Sequence, residues 1–400
     1  METCDVLIVG GGLVGASLAI ALDRSGLTVA MAESAAPHVD AQPSYDERNL
    51  ALAHASVNAL TALGVWKHLT TTGTPIRKIH ISRQGEFGAV RLDAKKHGLD
   101  AFGAVVPARE LGNALLRRLD ACEGLRRFAP ATVKSIEVNA DGATARLQTP
   151  DGEQTMRTRL LVGADGTSSF VRDALSIGVD RFDYAQTAFV LTVTTERAID
   201  SAYERFTATG PTALLPLGER RGGIVLTVPT NDAEHVANLD DAGFLELLNA
   251  RFGWRLGRFS RPGKRMSYPL RRVCAQRLTS ARAVLIGNAA QTLHPIAAQG
   301  FNLGLRDALT LAERVQRVVD PGCESVLAEY AEARRADRDG TIAMSDGLAR
   351  WTRDESLPLK LARSFGMIAL DRIAPLQSML IDRGMGFRGE TPALATRSVP

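Results

Sequence analysis

Asp5-Val6-Leu7-Ile8-Val9-Gly10-Gly11-Gly12-Leu13-Val14-Gly15 is the stretch on which the fold turns. Its first five residues are mostly apolar and partly β-branched, the composition of a strand buried on both faces. The run ends in G-x-G-x-x-G. Ala16 to Arg24 has alanine- and leucine-rich helical character and stops at Ser25-Gly26. Thr28 to Ala32 reads as a second strand, and Glu33 stands at its end, 23 residues after Gly10. Each glycine has a physical role. Gly10 permits the tight turn, Gly12 lets a pyrophosphate approach the backbone, and Gly15 allows close helix–strand packing. The helix N-terminus offers free N–H groups and the positive end of its dipole to phosphates. Glu33 is placed to accept hydrogen bonds from an adenosine ribose. Strand, helix, second strand and terminal acid agree on dinucleotide binding, without separating NAD from FAD.

Two further corners lie far along the chain. Leu160-Leu161-Val162-Gly163-Ala164-Asp165-Gly166-Thr167-Ser168-Ser169 runs from strand through a tight turn to a helix start, with Ser168 or Ser169 as cap. Ala283-Val284-Leu285-Ile286-Gly287-Asn288 is another buried strand ending in glycine, followed by His294-Pro295 and Gln299-Gly300-Phe301-Asn302. The helix beyond carries Leu305, Ala308, Leu309, Ala312, Val315 and Val319 on one face. A compact nicotinamide dehydrogenase would complete a six-stranded sheet; this chain instead enters Tyr45 to Leu52 and a helical stretch around Ser56 to Leu63. No second G-x-G-x-x-G occurs, and no C-x-x-C or C-x4-C pair, which argues against the two-dinucleotide disulfide reductases.

Composition excludes several classes. The chain has 400 residues, 45% hydrophobic and 23% charged, ordinary values for a globular protein of two to three units. Net charge is 48 − 44 = +4 without a Lys/Arg block, so nucleic acid is not expected as a partner. Cys4, Cys122, Cys274 and Cys323 are scattered and read as reduced thiols; no metal site is expected. The start, Met1-Glu2-Thr3-Cys4-Asp5, lacks a secretory signal, which points to the cytoplasm. The charge-free runs Val6 to Leu22 and Ala283 to Leu305 hold too many glycines and polar residues for spanning helices.

The three motifs together resemble the class A flavoprotein monooxygenases, aromatic hydroxylases built on one FAD-binding domain. The resemblance covers nearly the whole chain and is closest to the ubiquinone-biosynthesis hydroxylases, with Gly287-Asn288-Ala289-Ala290-Gln291-Thr292-Leu293-His294-Pro295, Ile79-His80-Ile81-Ser82 and Val105-Val106-Pro107-Ala108-Arg109 similar to the 2-polyprenyl-6-methoxyphenol hydroxylase branch. It implies an FAD cofactor held by Gly10, Gly12, Leu13 and Gly15 at the pyrophosphate and Glu33 at the ribose. Arg48 and Arg109 would reach the phosphates or ribityl chain, with Asp165 near the pyrophosphate and Gly287 and Asn288 at the ribityl hydroxyls. Pro295 would pack by the reactive edge of the flavin, and backbone N–H groups of Gly300, Phe301 and Asn302 would point at the pyrimidine end. The resemblance further implies that NAD(P)H reduces the flavin, that O2 adds at C4a to give a hydroperoxide, and that its distal oxygen passes to the ring of a polyprenylated phenol. No acid–base catalyst is assigned; His294 is read as packing beside the flavin loop, with a phenol base as the alternative. Two positions depart from the family pattern. Asn288 replaces the usual Asp but keeps an acceptor oxygen. Ala298 replaces the usual Gly, at a cost of ~1 kcal/mol if the backbone there is left-handed.

The expected fold is α/β, α+β overall: a Rossmann-like FAD-binding domain with an inserted antiparallel β-sheet substrate domain and a C-terminal helical tail. The FAD-binding unit is expected over 1–75, 98–180 and 266–340, the substrate sheet over 76–97 and 181–265, and the tail over 341–400. Strands are expected within Ile76 to Val90, Gln186 to Thr195, Leu214 to Leu217 and Gly223 to Pro229, and a helix over Asp241 to Phe252. The tail, helical over Asp346 to Met385, mixes Trp351, Leu357, Leu361, Phe365 and Ile368 with Arg350, Lys360, Arg363 and Arg372. It reads either as packed on the body or partner subunits, or as an interfacial segment meeting a prenylated substrate at the inner face of a membrane. Two other functions fit the same motifs: hydroxylation of a non-prenylated phenol, or a non-catalytic FAD-fold protein that binds prenyl groups or scaffolds a complex.

Overall fold

The computed structural model describes residues 2–36, 48–351 and 356–396. Tyr45 to Glu47 and the stretch 352–355 within the expected tail lie outside the described residues. The chain begins with β1 (Glu2–Val9), α1 (Leu13–Ala21) and β2 (Val29–Ala32), as the glycine motif requires. Next come β3 (Asn49–Ala53), α2 (His54–Ala62), β4 (Lys78–Arg83) and β5 (Gly103–Pro107). A long β6 (Gly152–Gly163) leads into the short α3 (Phe170–Ala174). The second half of the chain supplies β7 (Val179–Thr195), β8 (Ala202–Phe206), β9 (Thr212–Pro216), β10 (Arg221–Pro229), α4 (Asp241–Phe252), β11 (Met266–Ala275) and β12 (Ala283–Leu285). Helices α5 (Gln299–Val315), α6 (Glu324–Trp351), α7 (Leu357–Arg372) and α8 (Ala374–Gly384) follow.

The first sheet has β12, β6, β1 and β2 side by side, all parallel, with the strand Arg126–Phe128 beyond β2. An antiparallel meander, Thr132–Val138 and Ala143–Thr149, adds to the outer part of β6, a pairing that no local signal in the sequence marks. Register decides what this sheet can do. Ala32, Val9, Gly163 and Leu285 lie in one row across four strands. The residues that follow them therefore leave the sheet together at its carboxyl edge, the edge where parallel α/β sheets bind ligands. Helix α1 lacks a polar stripe because it is packed between this sheet and α5; Ala16, Leu18, Ala19 and Ile20 are all buried. Burying each such Leu or Ile stabilises the fold by ~1.5–3 kcal/mol.

The second sheet runs β11, β7, β10, β9, β8, β4 and then the strand Ala89–Asp93. It is antiparallel as expected except for one pair: β4 lies parallel to β8. The hairpin of β4 and Ala89–Asp93 enters from an earlier part of the chain, so no tight turn forces it antiparallel to β8. Strand β11 also belongs to this sheet, although the sequence grouped 266–340 with the cofactor unit. Phe189, Leu191, Val193, Ile224, Leu226 and Val228 project from one face onto Phe244, Leu248 and Phe252 of α4. That helix spans the residues expected, and Asp240 caps it by accepting from the Gly243 N–H at 2.8 Å. The opposite, inner face carries Ile81, Ala188, Phe206, Val225 and Leu270, packed with Ile296 from the loop before α5.

The tail is docked on the second sheet. Arg363 of α7 is buried against Glu86, Nη2 to Oε1 at 2.6 Å, and Asp371 accepts from the Arg91 N–H at 2.7 Å. Ile381 and Met385 pack on Val90, Leu92 and Phe102. The outer face of α7 is apolar and exposed: Leu357, Leu361, Phe365 and Ile368, joined by Phe87, whose ring meets that of Phe365 edge-on at 5.5 Å. Among the described residues no helix is long and apolar enough to cross a membrane.

Candidate functional site

Three loops meet at the carboxyl edge of the first sheet. Gly10 has φ of +105° and lies so close to the second loop that an added Cβ would sit 2.4 Å from the Ala164 carbonyl oxygen. At Gly15 an added Cβ would fall 1.9 Å from the Gly10 carbonyl oxygen, so α1 folds back onto its own loop only with glycine there. The third loop joins through Gly287, which faces Val14, and through Gly304 of α5, which packs on both. Gly12 is the N-cap of α1 with extended backbone and Leu13 its first residue; no side chain caps this end, which leaves the first-turn N–H groups for another acceptor. The Glu33 carboxylate accepts from the Gly11 N–H at 2.6 Å and from the Ala35 N–H at 2.8 Å, so the acid pins the glycine loop at the rim of the site.

Asp165 is held by the helix that follows it. Its carboxylate accepts from Ser169 Oγ at 2.5 Å and from the Val171 N–H at 3.0 Å, at the start of α3. Burial pushes its pKa up, against the pull of these hydrogen bonds. The capping residue is Ser169, which accepts from the Arg172 N–H. Arg172 itself has no signal in the sequence. It is buried and donates to the carbonyls of Thr167 and Ala289, at 3.0 and 3.1 Å, tying the second loop to the third. A buried arginine on a five-residue helix has no periodic signature. Arg48 and Arg109 are brought near each other because β3 pairs with β5, Asn49 opposite Pro107. The Arg48 guanidinium lies 5.6 Å from the Tyr268 ring centroid, a cation–π distance. Asn288 is exposed on the third loop.

Helix α5 starts at Gln299, so Gln299 to Asn302 form its first turn rather than the stretch before it. Its N-cap is Ala298, with φ 50° and ψ 38°: the left-handed conformation that the Gly-to-Ala departure placed in question. Pro295 is exposed on this loop, and a Cβ on Gly300 would meet nothing within 4 Å. The Asn302 side chain is fully engaged: it donates to the carbonyls of Ala51 and Ala298 and accepts from the Ala53 N–H and Ser56 Oγ. It thereby clamps the start of α5 to β3 and α2, while its helix's first N–H groups stay directed outward along the axis. Phe301 is partly buried against the core of the first sheet. His294 is buried, with Nδ1 accepting from the Ile296 N–H at 3.2 Å and its ring edge-on to Tyr184 at 4.8 Å. These contacts support the packing reading over the phenol base.

Beneath the loop lies a buried charge network that the sequence did not announce. Asp307 accepts from Arg334 Nε at 2.8 Å, from Gln291 Nε2 at 2.6 Å and from the Gly287 N–H at 3.2 Å. Asp337 accepts from Arg306 Nε at 2.7 Å and Arg334 Nη2 at 2.8 Å. Burial would raise the Asp337 carboxyl, but Arg306 and Arg334 hold it below its usual range. The network fixes α5 against α6 and holds Gly287 by its own N–H.

Two helix N-termini, the exposed Asn288 and an open strip at Gly300 thus belong to the loops at this edge. This donor set fits the pyrophosphate, ribityl chain and pyrimidine ring of FAD. Residues 3–343 match the family described as FAD binding domain. The chain is 37% identical to the ubiquinone hydroxylase UbiL of Rhodospirillum rubrum, over all of this chain and 94% of that protein. It is 30% identical to the 3-demethoxyubiquinol 3-hydroxylase of Escherichia coli, over 96% of this chain and 99% of that one. Among solved structures, p-nitrophenol 4-monooxygenase PnpA of Pseudomonas putida superposes with a TM-score of 0.81 at 19% identity, covering 98% of this chain and 100% of that one.

Proposed function

The chain belongs to the FAD binding domain family, and from that premise we propose that it hydroxylates the aromatic ring of a polyprenylated phenol in ubiquinone biosynthesis, using NAD(P)H and O2. It is an FAD-dependent aromatic hydroxylase. The observation that carries the reading is the register row Ala32–Val9–Gly163–Leu285, which gathers three distant loops at one edge, opposite the inner face of the second sheet.

When bound, FAD supplies the redox and oxygen-activating chemistry, and the protein supplies position and environment. The glycine loop and the α1 N-terminus would hold the pyrophosphate, with Glu33 at the ribose and Arg48 and Arg109 toward the phosphates or ribityl chain. Asn288 would meet the ribityl hydroxyls. The N-terminus of α5 would offer its positive dipole end to the pyrimidine part of the ring, where it would stabilise negative charge. Ile81, Ala188, Phe206, Val225 and Leu270 form an apolar wall that excludes water from the reacting groups. The exposed apolar face of α7, with Arg372 and Arg91 beside it, supports peripheral contact with an anionic bilayer, where a prenylated phenol resides.

The purified protein is expected to be yellow and to release FAD on denaturation. It should restore quinone synthesis in a hydroxylase-deficient strain, with the accumulated intermediate naming the ring position. A colourless protein that FAD does not reconstitute would overturn the reading. Faster turnover of the phenol without its prenyl tail would replace the substrate class.

A further inference from the structure

One row of the second sheet stands out. Ile81, Glu204, Ala213, Val225 and Val190 are register partners across five adjacent strands: β4, β8, β9, β10 and β7. Paired residues share a face, and the neighbours Tyr203, Leu214, Ile224, Phe189 and Leu191 pack on the α4 side. The row therefore lies on the inner face, with Ile81 and Val225 in the cluster that contains Ile296 of the Pro295–Gly300 loop. Every member but one is aliphatic. Glu204 is the exception, and its side chain makes no hydrogen bond or ion pair with any described residue. It is neither sealed in nor on the open surface, being partly accessible on β8, between β4 and β9.

We propose that Glu204 is the group that receives the hydroxyl of the phenol substrate: its carboxylate accepts the phenol hydrogen bond, sets the ring's orientation against the flavin loop and takes up the phenol proton. The assignment rests on the phenol reading above and extends it to a named residue. The step is a proton transfer in which the phenol O–H bond breaks, an O–H bond forms on the carboxylate, and the electron pair stays on the phenol oxygen. A phenolate ring is a stronger electron donor at its ortho and para carbons, so an electrophilic oxygen reacts there faster.

The surroundings suit that role. Burial alone pushes Glu204 up to about 7, with no charged neighbour contributing. A base with a pKa near the working pH is the efficient one. On adjacent strands its partners Ile81 and Ala213 do not titrate, and Ala202 and Phe206 flank it along its own strand. His80, Tyr203 and Arg205 belong to the other face of the sheet, clustered with Arg255 and Phe252. Of the groups on the facing loop and strands, His294 is packed on Tyr184, and Arg48 lies over Tyr268.

The test uses FAD-loaded wild-type protein, Glu204→Gln and Glu204→Asp. Binding of simple phenols of graded acidity is followed by the change in flavin absorbance. With a carboxylate acceptor, the more acidic phenols bind more tightly. Glu204→Gln should flatten this trend and weaken the most acidic member on the order of tenfold to a hundredfold. In turnover, kcat/KM of the wild type should rise with pH through a midpoint near 7. Glu204→Asp should keep an acid limb with a displaced midpoint, and Glu204→Gln should lose it with a fall on the order of a hundredfold. A Gln variant that keeps both the acidity trend and the acid limb overturns the assignment. If the acidity trend depends on Glu204 but no prenylated phenol is hydroxylated, Glu204 stands and the substrate reading falls. If prenylated phenol is hydroxylated and the trend is indifferent to Glu204, the reverse holds.

Discussion

At the scale of single residues, Ala298 has the most direct consequence. It holds a left-handed conformation at the head of α5, which costs an alanine about 1 kcal/mol relative to glycine. Ala298→Gly should therefore stabilise the protein by about 1 kcal/mol, read as a rise in Tm of about 2 °C by calorimetry. Gly15→Ala should act oppositely, because the new Cβ would meet the Gly10 carbonyl oxygen at 1.9 Å and part the glycine loop from α1. Strain of ~1–3 kcal/mol at the phosphate loop corresponds to a loss of FAD affinity of about fivefold to 150-fold, measured as the flavin-to-protein ratio after dialysis. Gly15 was legible in the sequence, since glycine motifs report backbone geometry directly, and Ala298 was marked by its departure from the pattern of the family the chain resembles. Arg172 and Glu204 were not. A lone charged residue on a short helix, or one carboxyl in an alternating strand, acquires meaning only when register and loop packing bring its neighbours in from elsewhere in the chain.

Between elements, the decisive contact is α5 against α6. Arg306, Asp307, Arg334 and Asp337 are all buried and paired with each other. Removing one charge strands its partners, so Asp337→Asn should destabilise the protein by about 3–5 kcal/mol by denaturant melts. The sign with pH follows from the depressed folded pKa of Asp337. Its stabilisation is complete above the ordinary carboxylate pKa of ~3.9 and is lost as pH falls through the lower folded value. Below that ordinary value the wild-type Tm should drop more steeply with acidification than that of Asp337→Asn. The apolar face of α5 was visible as a 3.6-residue repeat as far as Val315, although Val319, counted on that face, lies beyond the helix and is exposed; the repeat is also silent about charges buried on the opposite side. The same holds for the meander at Thr132–Val138 and Ala143–Thr149, whose strands are polar on alternate positions, the second pairing with the outer half of β6 and the first only with the second.

For the whole molecule, the α/β organisation with a second sheet and a helical tail was legible because buried strands, glycine turns and amphipathic helices each carry a local signal. The parallel pairing of β4 with β8 and the membership of β11 in the second sheet were not, since both depend on which distant segments meet. The exposed row Leu357, Leu361, Phe365 and Ile368 yields a prediction at this scale. Wild-type protein should co-sediment with vesicles containing anionic lipid, less so at high salt. Phe365→Asp with Leu361→Asp should lose most of that binding while melting at an unchanged temperature, because both side chains are exposed already. The row Ala32–Val9–Gly163–Leu285 also has a consequence in time. During synthesis the first glycine loop emerges early, yet its third partner strand and α5 appear some 270–300 residues later. A nascent chain stopped before Ala283 has no third loop, so cofactor capture belongs to the end of translation, and the half-made protein must reach that point with its central sheet still missing a strand.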